Sequence, residues 1–262
     1  MFGINHPYGK YSSTIAYDAL HPEQLRRFFD QYYVNGHCTI FVAGKLPHNI
    51  ETLLNENFGS LPLNKAQLPH LTHPAEAATE KKDRIINDKE GIQGAIRIAS
   101  HFPGIHHPHF TKAQVLNTLF GGYFGSRLMS NIREDKGYTY GIHSYMQNHV
   151  QQSAWMISTE AGKEVCEATI TEVYKEMQVL REKTVSEEEL LLVKNFLIGT
   201  ILGDLDGPFH IIGRWKNIIL NELAEDYFYT SVAGIKNVTT KEIQELANQY
   251  LLPEKFYELV VV

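Results

Sequence analysis

Cysteine is scarce in this sequence: Cys38 and Cys166 are the only two among 262 residues. Two thiols exclude a disulfide-rich scaffold and a four-cysteine zinc site. Both are expected as small buried apolar residues. A basic surplus is also missing. Lys and Arg number 24 against 30 Asp and Glu, a net charge of -6, which gives no support to nucleic-acid binding. No apolar run approaches the ~18 residues of a membrane span. The longest candidate, Phe196 to Leu205, is interrupted by Gly199, Gly203 and Asp204. The first residues, Met1-Phe2-Gly3-Ile4-Asn5-His6, lack the basic and apolar regions of a signal peptide. The compartment stays unknown, with the cytoplasm favoured, since an upstream leader is left open. The remaining composition, 43% apolar and 21% charged, suits a globular chain with a buried core. The length allows two modest domains or one large one.

Short catalytic motifs are missing as well. Thirteen histidines invite a metal reading, but a helical zinc-peptidase site needs two histidines one turn apart and a glutamate to polarise water. His-Glu-x-x-His is absent, and so is His-x-x-Glu-His. His48-Asn49-Ile50-Glu51-Thr52 and His73-Pro74-Ala75-Glu76-Ala77 come nearest, and each lacks the second histidine. His106, His107 and His109, with His101 nearby, form the densest group. Pro103, Gly104 and Pro108 place it in a loop, where solvated side chains are expected. No Gly-x-Ser-x-Gly elbow occurs. Gly121-Gly122-Tyr123-Phe124-Gly125 lacks the Gly-Lys-Ser/Thr ending of a phosphate loop. Its glycines read as a tight turn between helices.

The periodicities present predict an α+β chain with a mixed or antiparallel sheet packed against helices. Helices are expected over 22–33, 49–57, 110–120, 165–181, from Ser186 to about Leu202, and over 209–223. Ser186 with Glu189, and Thr239 with Glu242, read as capping boxes. Strands are expected over 37–43, 92–100, 138–147, 153–160 and 256–262. Residues 63–85, with Pro69, Pro74 and mixed charges, read as an interdomain linker. It separates a first region, 1–62, from a second, 86–262.

One stretch carries more specific information. Leu119 to Tyr145 contains Gly121-Gly122, then Ser126-Arg127-Leu128, then Arg133-Glu134 and Gly137, with Tyr140 seven residues after Arg133. This pattern resembles the second-domain signature of the M16 (pitrilysin/insulinase-like) zinc metallopeptidases. His6-Pro7-Tyr8-Gly9, Tyr32-Tyr33, Thr39 to Gly44 and Phe58-Gly59-Ser60-Leu61-Pro62 are similar to the closing part of that family's first domain. Gln93 and Phe102-Pro103 fit the opening of its second.

The resemblance implies that 1–62 closes an M16 first domain and that 86–262 is the substrate-binding second domain. It further implies that Arg133 and Tyr140 lie near the scissile bond of an extended peptide substrate. The family's zinc ligands precede the matched region, so no zinc ligand and no catalytic residue carries over to this chain. Zinc is then expected in an upstream domain in cis or in a zinc-bearing partner subunit, with a homo- or heterodimer open. The chain alone is expected to be inactive, as the C-terminal portion of an M16 endopeptidase. The alternative is a non-catalytic M16-like partner or scaffold subunit.

Overall fold

The computed structural model describes residues 1–34, 36–62, 73–149 and 152–262. They fall into two compact units, one of 2–76 with 205–217 and one of Met1, 77–204 and 218–262. Residues 63–72 of the expected linker lie outside the described residues.

The smaller unit holds α1 (Thr14–Asp18), α2 (Pro22–Phe29) and α3 (Ile50–Phe58). Pro22 suits the first turn of α2, where its missing N–H has no helical partner. Gln24 reaches back to accept from the His21 N–H at 3.0 Å. A π-helical stretch, Asp30–Val34, prolongs α2 and accounts for the longer helix expected over 22–33. The strand expected over 37–43 does not form. An apolar run becomes a strand only when a neighbour takes its N–H and C=O groups. Among the described residues none lies alongside, and Cys38 and Ile40 are exposed. Cys38 is thus not the buried residue that its composition suggests.

The larger unit is built on five strands, β1 (Lys82–Ile85), β2 (Gln93–Phe102), β3 (Thr139–Asn148), β4 (Ser153–Gly162) and β5 (Tyr257–Val261). Their order is β1-β5-β2-β4-β3. β1 runs parallel to β5 and the other pairs are antiparallel. β1 falls within the stretch read as linker from sequence. Its four residues are all exposed, so no apolar alternation marks it. The long central strands alternate instead. Ile96, Ile98 and Phe102 of β2, Ile142 of β3, and Trp155, Ile157 and Ala161 of β4 are buried on one face.

Helices cover that face. They are α4 (Phe110–Asn117), α5 (Cys166–Glu182), α6 (Glu187–Gly203), α8 (Tyr227–Asn237) and α9 (Thr240–Tyr250), while α7 (Pro208–Leu220) falls mostly in the smaller unit. α5 contributes Ile170, Val173, Met177 and Leu180 to the core, the i, i+3, i+7 stripe that its sequence predicts. Gly94 permits the start of α5 to close on β2, since a Cβ there would lie 2.6 Å from Cys166 Sγ. Thr239 and Glu242 form the expected capping box of α9. The box expected at α6 is half formed. Ser186 Oγ accepts from the Glu189 N–H at 3.1 Å, but the Glu189 carboxylate is held by Arg127 through Nε and Nη2, both at 2.8 Å. α8 was not legible in the periodicity. Its opening Tyr227-Phe228-Tyr229 and its Gly234 are poor helix formers, and the helix forms by packing on α4. Thr111 Cγ2 would lie 3.1 Å from a Cβ at Gly234.

One buried charge ties the sheet to α5. Glu258 on β5 is 3% exposed. It accepts from Arg84 Nη2 at 2.8 Å and Tyr174 Oη at 2.7 Å, and pairs with Lys82 Nζ at 3.0 Å. Burial alone would push its carboxyl up, yet the Arg84, Tyr174 and Lys82 donors hold it below its ordinary value.

Candidate functional site on the open face of the sheet

Arg133 and Tyr140 are brought together by a helix end, a glycine reversal and a β-bulge. The helix is π-helical, Met129–Asp135, a rare geometry that recurs at functional sites. Leu128, Met129 and Ile132 anchor it in the core. The Lys136 N–H donates to Asn131 O at 3.0 Å and the Tyr138 N–H to Ile132 O at 3.0 Å. Between them Gly137 adopts φ 66°, a left-handed turn that glycine enters without a Cβ penalty. The chain then runs straight into β3.

At the start of β3 the register slips. Thr139 pairs with Ala161 and Ile142 with Thr159, so Tyr140 and Gly141 together oppose Glu160. This is a β-bulge, which re-aims side chains. Strict alternation would put Tyr140 on the helix-covered face beside Ile142. The bulge instead leaves its ring 94% exposed. Arg133 Nε donates to the main-chain carbonyl of Tyr140 at 3.0 Å. The guanidinium stacks over the Phe124 ring, 4.8 Å from its centroid, and Glu134 Oε1 lies 3.7 Å from Nη1.

Two threonines brace the bulge. One proton per hydroxyl lets each threonine donate once. The Gly141 N–H donates to Thr139 Oγ1 at 3.1 Å, the Thr139 hydroxyl to Glu160 O at 2.6 Å, and the Thr159 hydroxyl to Gly141 O at 2.9 Å. Tyr140 shares a cavity of about 340 Å³ with Gln93, Arg97, His143, Ser158 and Glu160. Apart from Gln93, noted for its fit to the second-domain opening, sequence reasoning passed over these polar neighbours. Their signal is the alternation itself, since Arg97, Ser158 and His143 pair across three strands on the face away from the core.

The glycines of the signature serve close approach as well as turning. A Cβ on Gly121 would lie 2.7 Å from Ser144 Cβ and 2.9 Å from Leu128 Cδ1. Beside it, Trp155 Nε1 donates to Ser144 Oγ at 2.8 Å, which donates to Asn117 Oδ1 at 2.7 Å. This buried relay pins the end of α4 to β3 and β4.

The histidine loop is not wholly solvated. His106 is exposed. His107 Nδ1 accepts from the His109 N–H at 3.1 Å, and His109 Nδ1 lies 2.9 Å from the Tyr250 hydroxyl on α9. Burial, with His109 beside it, pushes His107 below its ordinary value. Among the described residues no three His, Cys, Asp or Glu side chains converge to hold a metal ion.

A mixed sheet with helices on one face and an Arg133–Tyr140 pair at the start of β3 defines a class: a metallopeptidase-like α+β domain. The sequence profile of the peptidase M16 inactive domain matches residues 19–197, and the chain belongs to the M16 peptidase family. It is 26% identical over 213 residues to the uncharacterized zinc protease YmxG of Bacillus subtilis, covering 77% of this chain and 51% of that protein. An uncharacterized zinc protease of Rickettsia felis is 26% identical over 240 residues, covering 84% and 56%. The chain thus spans about half the length of the curated relatives it matches. The peptidase M16 inactive domain from Pseudomonas fluorescens superposes with a TM-score of 0.81 at 21% identity, over 98% of this chain and 62% of that one. A protease from Helicobacter pylori gives 0.86 at 14% identity, over 98% and 63%. At these identities the structures speak for the fold.

Proposed function

We propose that this chain is the peptide-binding half of a zinc-dependent M16-type endopeptidase, inactive without a zinc-bearing region upstream or in a partner subunit. The observation that carries the reading is the bulge at the start of β3. It turns Tyr140 onto the open sheet face while Arg133 holds the tyrosine's own carbonyl. An exposed aromatic ring held by a braced backbone has no packing role to explain it.

An extended peptide lying across this face would receive a hydrogen bond from the Tyr140 hydroxyl. The acceptor is the scissile carbonyl oxygen or the oxyanion that forms on it, and such a donor works best when it is already in place. Arg133 acts as a positioning residue: its Nε fixes the backbone from which Tyr140 projects. The zinc expected elsewhere in the intact protein supplies Lewis-acid chemistry, and nothing in this chain is asked to hold it.

The test uses the full-length protein that joins this chain to a zinc-bearing region. Arg133→Ala combined with Tyr140→Phe is expected to lower turnover of an unstructured peptide by about 10²–10³-fold, the usual loss for one oxyanion donor, with the fold intact by circular dichroism. Unchanged turnover rejects both roles, and a wild-type full-length protein without turnover favours the non-catalytic partner.

A further inference from the structure

The cavity beside Tyr140 contains two opposite charges that do not pair with each other. Arg97 on β2 pairs with Ser158 on β4, so Glu160 is its diagonal neighbour on the same face, with Cα atoms roughly 7–8 Å apart. Arg97 bonds the sheet backbone instead. Its Nη1 donates to Ile96 O at 2.9 Å and Thr159 O at 3.1 Å. A guanidinium has five N–H donors, so Nε and Nη2 remain unspent. Glu160 is exposed, and among the described residues its carboxylate makes no hydrogen bond or ion pair. Both line the same cavity as Tyr140.

This pairing discriminates among ligands. An anionic group gains Arg97 and meets Glu160. A cationic group gains Glu160 and meets Arg97. A neutral amide satisfies both, because its carbonyl accepts from Arg97 while its N–H donates to Glu160. Each bond has one ionised partner, and such bonds are stronger than neutral ones. We propose that Arg97 and Glu160 form a clamp for one amide group of the peptide, and that this clamp is indifferent to side-chain charge. The inference rests on the reading that a peptide lies across this face. The amide can be a main-chain peptide group or a Gln or Asn side chain.

The experiment reads binding alone, in the zinc-free full-length protein. The probe is an unstructured fluorescent peptide of Ala, Val and Thr with a single Gln, followed by anisotropy. A parallel series carries one N-methyl group at each peptide bond in turn, and one further peptide has Gln replaced by Met. Glu160→Met and Arg97→Met are each expected to weaken binding by about tenfold, as for one charge-assisted bond. One N-methylated peptide is expected to bind wild type weakly and to show no further loss with Glu160→Met. If the Gln→Met peptide behaves this way instead, the clamped amide is a side chain and the clamp stands.

Unchanged affinity with Glu160→Met overturns the proposal. So does a preference for Lys that vanishes with Glu160→Met, or for Asp that vanishes with Arg97→Met. Because Arg97 bonds the sheet backbone, its variant is paired with a melting curve. Among the described residues the Glu160 carboxylate makes no bond, so its variant decides the matter by itself. Loss of turnover with Arg133→Ala and Tyr140→Phe, but intact binding with Glu160→Met, sinks the clamp and leaves the proposed function standing. A protein that binds no peptide sinks both.

Discussion

Thr159→Val isolates the brace behind Tyr140. The side chains have nearly the same shape and the site is 5% exposed, so the change removes little except the hydroxyl. That hydroxyl sits 2.9 Å from Gly141 O and 2.8 Å from Thr139 Oγ1. Losing a neutral hydrogen bond costs about 1 kcal/mol, and the figure reaches about 1–3 kcal/mol where the Thr139 hydroxyl, 3.0 Å from Gly141 O, does not take over as donor. A domain of roughly 150–250 residues loses about 2–4 °C of melting temperature per kcal/mol. A drop of several degrees is therefore expected in a thermal or denaturant melt. The hydrogen-exchange protection of the Gly141 amide, which donates to Thr139 Oγ1, should fall with it. Ser158→Ala is the control: it neighbours Thr159 but faces the open cavity, and such surface changes stay within about 0.5 kcal/mol. If Thr159→Val melts with Ser158→Ala and Gly141 keeps its protection, the ladder alone holds the bulge and the threonine argument is wrong.

Three further outcomes follow from the same packing. Gly121→Ala forces a Cβ to within 2.7 Å of Ser144 Cβ and should cost about 1–3 kcal/mol by overpacking, measured by urea unfolding. A stability equal to wild type would mean that the segment after α4 and β3 can separate freely. Gly199→Ala, inside α6 with no neighbour within 4 Å of the new Cβ, should stabilise by about 0.5–1 kcal/mol, and a loss would point to an unrecognised contact. Glu258 gives a pH signature. Its folded pKa is depressed, so its stabilising effect is present above the unfolded value, about 4.3, and is lost as pH falls through the folded value. Melting temperature in wild type should drop on acidification below about pH 4, and Glu258→Gln should flatten that part of the profile. An unaltered slope would remove Glu258 from acid unfolding.

Much of the larger unit was legible because its core elements carry their own periodicity. α5 shows its buried stripe and β2 and β4 alternate, so their bounds were read to within a few residues. β1 was not legible, since four exposed residues gain strand geometry only from β5 beside them. α8 was hidden for a related reason: tertiary contact with α4 outweighs weak intrinsic propensity. The strand expected over 37–43 shows the converse, an apolar run with no described neighbour to pair with. The Arg133–Tyr140 association was legible only through the family signature. Their bond runs to a main-chain carbonyl, and main-chain groups leave no mark in a sequence. Arg97 and Glu160 carry no motif at all, and only strand register brings them together.

The two thiols differ in a way that can be put to use. Cys38 is exposed and Cys166 is buried. Cys166 is packed against Gly94, and burial, followed by the nearby Glu167 carboxylate, pushes its thiol up. An alkylating reagent should therefore consume Cys38 at once and reach Cys166 only when α5 lifts from β2. The rate of that second, slow modification reads out the opening of the sheet-bearing unit in situ, with no label introduced and no residue changed.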